Sequence, residues 1–302
     1  MPALVRAREA VDANWVARRR QGHEPDENEQ TNTLLRAGHP EVLYQQLKPH
    51  EEGKIGADWL WWFVDNSGEC FGLLVQAKKL TRTDRGWALD VAYESGDELQ
   101  IHKLLRAADH FQVPAAYVLY AGDGEYRNGL TCGRAHEVVD CGTCARAGVS
   151  ILAALCVNSY LTMQYTAEEV FASAMPLEDL VRDDGGQLRD LNLRTVTPEL
   201  RMFLLMEQDG ARRVAKELLR QISNLRTGQL GAVAEETVDL GAEPIFTELP
   251  ADRGHLSRPY FPHVLQGLRH ALPSPVSALL TEDDPAAVLE FEGLDGVALF
   301  RV

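Results

Sequence analysis

Asp58, Gln76 and Lys78 are the residues of this chain whose types and spacing could do chemistry. Two runs of apolar, β-branched and aromatic residues, separated by turn residues, predict a β-hairpin over Ala57 to Leu80. Asp58 begins the first strand of this hairpin, and Gln76 and Lys78 lie toward the end of the second. Because side chains alternate along a strand, Gln76 and Lys78 point to one face, and Asp58 can face them from the partner strand. This arrangement predicts a site for a metal ion and a phosphate group.

The predicted chemistry follows from the atoms that these residues offer. A divalent cation that activates water beside a phosphodiester requires hard oxygen ligands. The Asp58 carboxylate, the Gln76 side-chain carbonyl and the Ala77 main-chain carbonyl can supply them, and Mg²⁺ or Mn²⁺ is the expected ion. Lys78 would stabilise charge on the scissile phosphate or orient the attacking water. The spacing alone fits equally well an edge hairpin whose polar ends are merely solvated.

The elements around this hairpin predict an α/β protein. Thr197-Pro198-Glu199 combines an N-cap, a proline at the first helical position and an acidic residue, which is a helix start. The apolar run at 149–161 fits a helix or a strand. Helices are expected over 2–20, 29–47 with a break at 38–40, and 94–111, a strand over 115–120, and a closing hairpin of 288–291 with 297–302.

The motif of this hairpin resembles that of a known superfamily. An acidic helix residue, an aspartate opening a hairpin and a Gln-x-Lys ending its second strand resemble the PD-(D/E)XK nucleases. Gly56-Ala57-Asp58-Trp59 through Gln76-Ala77-Lys78, with Gln100, also resembles uncharacterised bacterial proteins predicted to share that core. The resemblance covers about residues 27–160 and implies a restriction-endonuclease-like core, a mixed sheet flanked by helices. It also implies metal-dependent hydrolysis of nucleic acid, DNA before RNA, in a setting such as bacterial genome defence.

The resemblance assigns a role to each residue of the hairpin motif. Asp58 would be the metal-bridging carboxylate, Gln76 the second ligand and Lys78 the catalytic lysine. Most members have a glutamate where this chain has Gln76, and an uncharged amide should bind a metal less tightly. Some members tolerate glutamine, but inactive binding relatives also lose acidic ligands. A catalytically degenerate binding or scaffold protein is therefore the alternative, and a metal-dependent enzyme acting on another substrate is a third hypothesis.

Two further residues are assigned by the same resemblance. Glu29, on the preceding helix, would be the outer metal ligand, with Glu27 as an equally acidic rival. Gln100 resembles the glutamine of the Gln-x-x-x-Tyr motif of related exonucleases. Leu104 stands at the tyrosine position, so only half of that motif is present.

A cysteine-rich segment follows the predicted strand at 115–120. Zinc prefers thiolate and imidazole ligands in a tetrahedral arrangement, and small loop-rich inserts often depend on such a site. The spacing therefore predicts a structural zinc, although a loop with ordinary reduced cysteines fits equally well. The four candidate ligands are Cys132, His136, Cys141 and Cys144.

The predicted division of the chain places the site in its N-terminal half. Residues 1–26 would form an N-terminal helix and 27–162 the core, with the cysteine-rich insert at 122–147. Residues 163–302 would form a mainly helical C-terminal region that packs on the core or follows it and ends in the closing hairpin. Trp59, Trp61 and Trp62 are expected in the core rather than as a base-stacking platform.

The composition limits the classes of protein to which the chain can belong. A net charge of −15 is unusual for a general nucleic-acid binder, so metal ions would have to supply part of the positive field. No apolar run is long enough to span a bilayer, and residues 1–21 lack the apolar centre of a signal peptide. A cytoplasmic protein is therefore expected. The acidic C-terminal region is a candidate for contact with a partner protein or a second copy.

Overall fold

A computed structural model of the chain describes residues 2–47, 55–95, 97–130, 142–182, 197–225, 241–246, 249, 260–282 and 291–302. The strands are β1 (Val42–Gln46), β2 (Trp59–Val64), β3 (Cys70–Thr83), β4 (Gly86–Leu89), β5 (Glu94–Ser95), β6 (Glu98–Leu99), β7 (Ala115–Tyr120), β8 (Val149–Ala153), β9 (Met175–Pro176), β10 (Leu268–Arg269) and β11 (Gly296–Arg301). The helices are α1 (Pro2–Arg20), α2 (Glu27–Ala37), α3 (Gln100–His110), α4 (Gly142–Arg146), α5 (Ala154–Thr162), α6 (Ala167–Ser173), α7 (Pro198–Leu205), α8 (Gly210–Leu225), α9 (Tyr260–Leu265) and α10 (Ser274–Ser277). A 3₁₀ helix covers Leu177–Val181, and a π-helical turn covers Ala278–Glu282.

The fold is α/β, and its centre is a mixed, open sheet flanked by helices. The strands follow the order β1-β11-β2-β3-β7-β8-β9, with β4 and β10 also paired to β3. β2 and β3 are antiparallel, whereas β7 is parallel to β3 and β11 is parallel to β2. α3 connects β3 to β7, as a crossover between parallel strands requires. α2, α3 and α8 pack against β3 and so surround the strand that carries Gln76 and Lys78.

The predicted hairpin is confirmed in its position and its turn. The Asp65 side chain accepts hydrogen bonds from the backbone N–H and the hydroxyl of Ser67, and Gly68 adopts a φ of +89°. The tryptophans of β2 are no more than 2% exposed, so the core interpretation is correct. β3 is longer than predicted and turns again into β4, because Asp84 and Arg85 form a second tight turn before Gly86.

Two predicted helices were wrong in part, and one predicted hairpin is described only in part. The second half of the helix expected over 29–47 is β1, because α2 ends at Gly38 and β1 finds an edge of the sheet at β11. The helix expected over 94–111 begins at Gln100, and the ribbon of β5 and β6 precedes it. Of the predicted closing hairpin, the strand at 297–302 is present as β11, which lies between β1 and β2, whereas residues 288–290 lie outside the described residues.

Other expectations in the second half of the chain have clearer outcomes. The run at 149–161 is both predicted types, since β8 passes directly into α5. Thr197 caps α7, as predicted, by accepting a hydrogen bond from the Leu200 N–H. The region after residue 162 contributes β9, β10 and β11 to the same sheet as the core, rather than only packing on it or following it. No helix in the described ranges combines the length and the apolar character needed to cross a bilayer.

Candidate functional site

The register of the central strands brings the predicted site residues together. Trp59 pairs with Val75, and the Asp58 N–H donates to the Val75 carbonyl at 2.9 Å. Asp58 therefore lies opposite Gln76 on the same face of the sheet. Gln76 and Lys78 are two residues apart on β3, so both point to this face.

Hydrogen bonds connect Asp58, Gln76 and Gln100 in one chain of polar groups. Asp58 Oδ2 accepts from Gln76 Nε2 at 2.8 Å and from the Ala77 N–H at 2.7 Å. Gln76 Nε2 also donates to the Ala77 carbonyl at 3.1 Å, and Gln76 Oε1 accepts from Gln100 Nε2 at 3.1 Å. Gln100 reaches the site because it opens α3, which crosses over β3.

Lys78 supplies a buried positive charge beside these groups. Its side chain is only 6% exposed, and its Nζ lies 5.4 Å from the centre of the Tyr93 ring. Within the part of the chain that the structure describes, Nζ has no hydrogen bond and no ion pair. A desolvated ammonium group that makes no direct contact with a carboxylate is available to an anionic ligand.

Of the two rival glutamates, Glu27 is the one beside β3. Its Oε1 accepts a hydrogen bond from the Lys79 N–H at 3.0 Å. Burial raises the pKa of Glu27, and the charges of Lys78 and Lys79 oppose that rise. Glu29 instead pairs with Arg18 of α1 at 2.6 Å and accepts a hydrogen bond from Asn14, so its carboxylate serves the contact between α1 and α2.

The electrostatics of Asp58 distinguish it from an ordinary surface aspartate. Burial raises its pKa to about 7, although the hydrogen bond from the Ala77 N–H and the charge of Lys78 lower it. The negative charge of Asp295 also raises it. Asp295 immediately precedes β11, and its N–H donates to the Asp58 carbonyl at 2.6 Å. Asp295 is therefore a second carboxylate near the site, and no local sequence signal connects it with residue 58.

Tyr117 is another group that the sequence did not point to. It pairs in register with Gln76, so the two side chains share a face of the sheet. The Tyr117 hydroxyl is fully buried, and among the described residues it has no hydrogen-bond partner. Burial and the charge of Asp58 raise its pKa, so the hydroxyl stays protonated and can act as a donor.

The loop before Asp58 is fixed against α3 by a glycine. Gly56 has a φ of +70°, and a Cβ atom there would lie 2.6 Å from the Gln100 carbonyl oxygen and 2.8 Å from the Leu104 nitrogen. Only glycine permits both the backbone conformation and this close approach. The Gly-Ala-Asp sequence therefore sets the position of Asp58 relative to Gln100.

The structure bears less directly on the predicted metals. No group of three or more His, Cys, Asp or Glu side chains that could hold a metal ion is found among the described residues. Cys132, His136 and Cys141 lie outside those residues, and Cys144 lies half-buried on α4. The zinc site stays a prediction from sequence, which metal analysis of the dialysed protein would test.

The sequence that forms this site matches one family profile. A profile whose description is a family of unknown function, DUF6615, matches residues 13–300. The chain belongs to DUF6615. Every residue of the site, from Glu27 to Asp295, lies within the matched span of this DUF6615 member. Searches among curated proteins and among solved structures returned no match.

Proposed function

We propose that this DUF6615 chain is a metal-dependent nuclease that hydrolyses phosphodiester bonds of nucleic acid, DNA before RNA. The observation that carries the proposal is the convergence of Asp58, Gln76 and the Ala77 carbonyl beside the buried, unpaired Lys78. A carboxylate, two carbonyl groups and a lysine are the groups that a metal ion and a phosphate require. The proposal includes a cytoplasmic location, for which the support is the sequence.

The fold supports the proposal through the order of its elements. An antiparallel pair, β2 and β3, is followed by α3 and by β7 parallel to β3. This sequence of elements resembles the restriction-endonuclease-like core, in which the site lies at the same strand pair. Glu27 then takes the place of the acidic helix residue, since its carboxylate and not that of Glu29 contacts β3.

The donor set fits Mg²⁺ or Mn²⁺ if the side-chain amides of Gln76 and Gln100 each rotate by half a turn, so that oxygen and nitrogen exchange positions within each amide. Gln76 Nε2 now lies between two oxygens, Asp58 Oδ2 and the Ala77 carbonyl. Rotating the Gln76 amide would place Oε1 there instead and complete a set of three oxygen ligands. The contact with Gln100 would be kept if the Gln100 amide rotated as well. Gln100 Oε1, which is buried without a partner among the described residues, would then accept a hydrogen bond from Gln76 Nε2.

The proposed chemistry divides between the metal and the chain. A metal bound by Asp58, Gln76 and the Ala77 carbonyl would supply Lewis acidity and a more acidic water. Lys78 would donate hydrogen bonds to a non-bridging phosphate oxygen and stabilise the charge that develops there. The low exposure of Lys78 strengthens this interaction, because little water competes for its ammonium group.

The second candidate is a binding or scaffold protein that has lost the chemistry. It is favoured by the hydrogen bond from Gln76 Nε2 to Asp58, which satisfies the carboxylate without any cation. An uncharged amide in place of glutamate also weakens the attraction for a metal. Gln76→Glu distinguishes the two candidates, because the added charge should tighten Mn²⁺ binding, and should increase cleavage only if the other groups are competent.

The deciding experiment is cleavage of plasmid, linear and single-stranded DNA with Mg²⁺ or Mn²⁺. We expect the native protein to cleave and Lys78→Ala to lose about 10²-fold or more of the activity, because Lys78 stabilises charge in the transition state. Lys216→Ala, which alters a lysine of α8 bonded to the Met206 carbonyl, should retain it. Cleavage that survives Lys78→Ala would overturn the site. A folded, metal-loaded protein that cleaves none of these substrates would favour the binding protein.

A further inference from the structure

Two arginines near the proposed site are held by aromatic rings instead of carboxylates. The Arg82 guanidinium lies 4.9 Å from the centre of the Trp87 ring and 5.8 Å from that of Tyr126. The Arg19 guanidinium lies 4.8 Å from the centre of the same Tyr126 ring. Both arginines are exposed, and neither forms an ion pair within the described parts of the chain.

This lack of a carboxylate partner separates Arg19 and Arg82 from the paired arginines of the molecule. Acidic residues outnumber basic ones by 45 to 30, and other arginines are paired with carboxylates. Arg18 pairs with Glu29, Arg212 with Glu69 and Arg146 with Asp179. Glu24 is exposed and, together with burial, its charge raises the pKa of Tyr126, yet it pairs with neither arginine. Within the described residues, the guanidinium groups of Arg19 and Arg82 are therefore available to an anionic ligand.

The rings and the backbone fix where these charges lie. The Tyr126 hydroxyl accepts a hydrogen bond from the Arg82 N–H at 2.9 Å, and the Arg82 guanidinium donates to the Asn128 carbonyl at 2.8 Å. Trp15 packs against Tyr126 from the core, with ring centres 5.1 Å apart. Gly122 permits this packing, since a Cβ atom there would lie 2.5 Å from the Tyr126 ring. The arginines are pre-positioned, so little side-chain entropy would be lost on binding.

The two arginines are also connected to the proposed site by short stretches of chain. β3 is continuous from Cys70 to Thr83, so Gln76, Lys78 and Arg82 lie on one face of it. At about 3.4 Å per residue, Arg82 follows Lys78 by roughly 14 Å along the strand. Arg19 lies near the end of α1, and the segment after α1 leads to Glu27 and contacts Lys79 through the Pro25 carbonyl.

A row of separated positive charges fits a ligand with repeated negative charges. A single small anion would be bound by groups that converge on one point, whereas Lys78 and Arg82 are separated by several residues of strand. Guanidinium groups bind phosphate with two parallel hydrogen bonds. We propose that Arg19 and Arg82, held on Tyr126 and Trp87, form a phosphate-binding surface that holds the backbone of nucleic acid beside Asp58 and Lys78. This inference rests on the proposed function for the identity of the substrate.

The test is binding of a fluorescein-labelled DNA strand, single or in duplex, in EDTA and over a range of salt concentrations. Removing a phosphate contact should weaken binding and lower the slope of log Kd against log salt by about 1 for each arginine. Arg19→Gln and Arg82→Gln keep much of the side-chain length and remove the charge. Arg36→Gln, at the other end of α2 from Glu27, is the matched control and should bind as the native protein does.

Each outcome has one meaning for this inference. A reduced slope in both Gln variants, with unchanged thermal unfolding, supports the surface. An unchanged slope in either variant overturns it, as does a native protein that binds no DNA in EDTA at low salt. Because EDTA removes the chemistry, arginine-dependent binding without cleavage in Mn²⁺ would overturn the nuclease and leave the surface standing. Cleavage in Mn²⁺ that both Gln variants retain in full would overturn the surface and leave the nuclease standing.

Discussion

The Asp58 carboxylate lies between groups that move its pKa in opposite directions. Burial and Asp295 raise the pKa, whereas the Ala77 N–H and Lys78 lower it, and the result is about 7. A folded-state pKa above the unfolded value means that ionisation of Asp58 disfavours the folded state. The stability contributed by the protonated group is therefore lost as pH rises from about 4 to about 7. A ligand with positive charge would offset that loss.

Asp58→Asn should stabilise the protein at pH 8. An asparagine oxygen can still accept from Gln76 and Ala77, but the side chain cannot ionise. We expect a gain of about 1–3 kcal/mol in the free energy of unfolding at pH 8, discounted because Asp58 is partly exposed, and a smaller gain at pH 5. Urea denaturation at both values measures it, with Asp84→Asn in the β3–β4 turn as the control. A gain independent of pH would contradict the raised pKa.

At this scale the sequence predicted the strand residues better than the helix residue. Asp58, Gln76 and Lys78 could be placed on one face because the period of a strand is two and their hairpin is local. The choice between Glu27 and Glu29 depends on how α2 is rotated against β3, which is a tertiary property. Arg18 of α1 decides it, since it pairs with Glu29. Tyr117 and Asp295 reach the site only through pairing with β3 and β2.

At the scale of elements, the site depends on the contact between the loop before β2 and the first turn of α3. This contact could not be predicted, because the sequence pattern placed the helix start at residue 94 rather than at Gln100. The β5–β6 ribbon lies where the start of the helix was predicted, and the Gln100 N–H donates to the Tyr93 carbonyl. The local signals that did succeed, the turn at Asp65 and the cap at Thr197, are formed by neighbours in sequence.

Gly56→Ala should be much more costly than an ordinary glycine substitution. Besides the strain of a positive φ, its Cβ would overlap backbone atoms of Gln100 and Leu104, which cannot move independently of α3. Gly22→Ala is the matched control, with a φ of +77° and no atom within 4 Å of its Cβ. We expect Gly22→Ala to cost about 1–2 kcal/mol and Gly56→Ala about 1–3 kcal/mol more in urea denaturation. Equal costs would show that the close approach is unimportant.

At the scale of the whole molecule, β11 joins the two predicted regions into one sheet. β11 pairs with β1 on one side and with β2 on the other. Phe300 packs against Trp61 and Phe63, with ring centres 5.0 Å apart in each pair. The sequence predicted that 297–302 would be a strand, from its own apolar run. It could not predict the partners, because the pairing of Trp59 with Gly296 leaves no local pattern.

Phe300→Ala should therefore destabilise the N-terminal half as well as its own strand. Loss of a fully buried phenylalanine is expected to cost about 3–5 kcal/mol. Arg301→Ala, one residue along and exposed, should change stability by no more than about 0.5 kcal/mol. Tryptophan fluorescence during urea denaturation reports on the N-terminal half, which holds all five tryptophans of the chain. If their transition were unaffected by Phe300→Ala, the two regions would unfold separately.

The position of β11 also has a consequence for the protein while it is being made. β2 can pair with β3 soon after both have left the ribosome, but its second edge stays bare until β11 has followed. During that interval the nascent chain exposes an apolar strand edge, which is a template for aggregation. It also carries Asp58 without Asp295, so the hydrogen bond from the Asp295 N–H to the Asp58 carbonyl forms only after β11 has emerged.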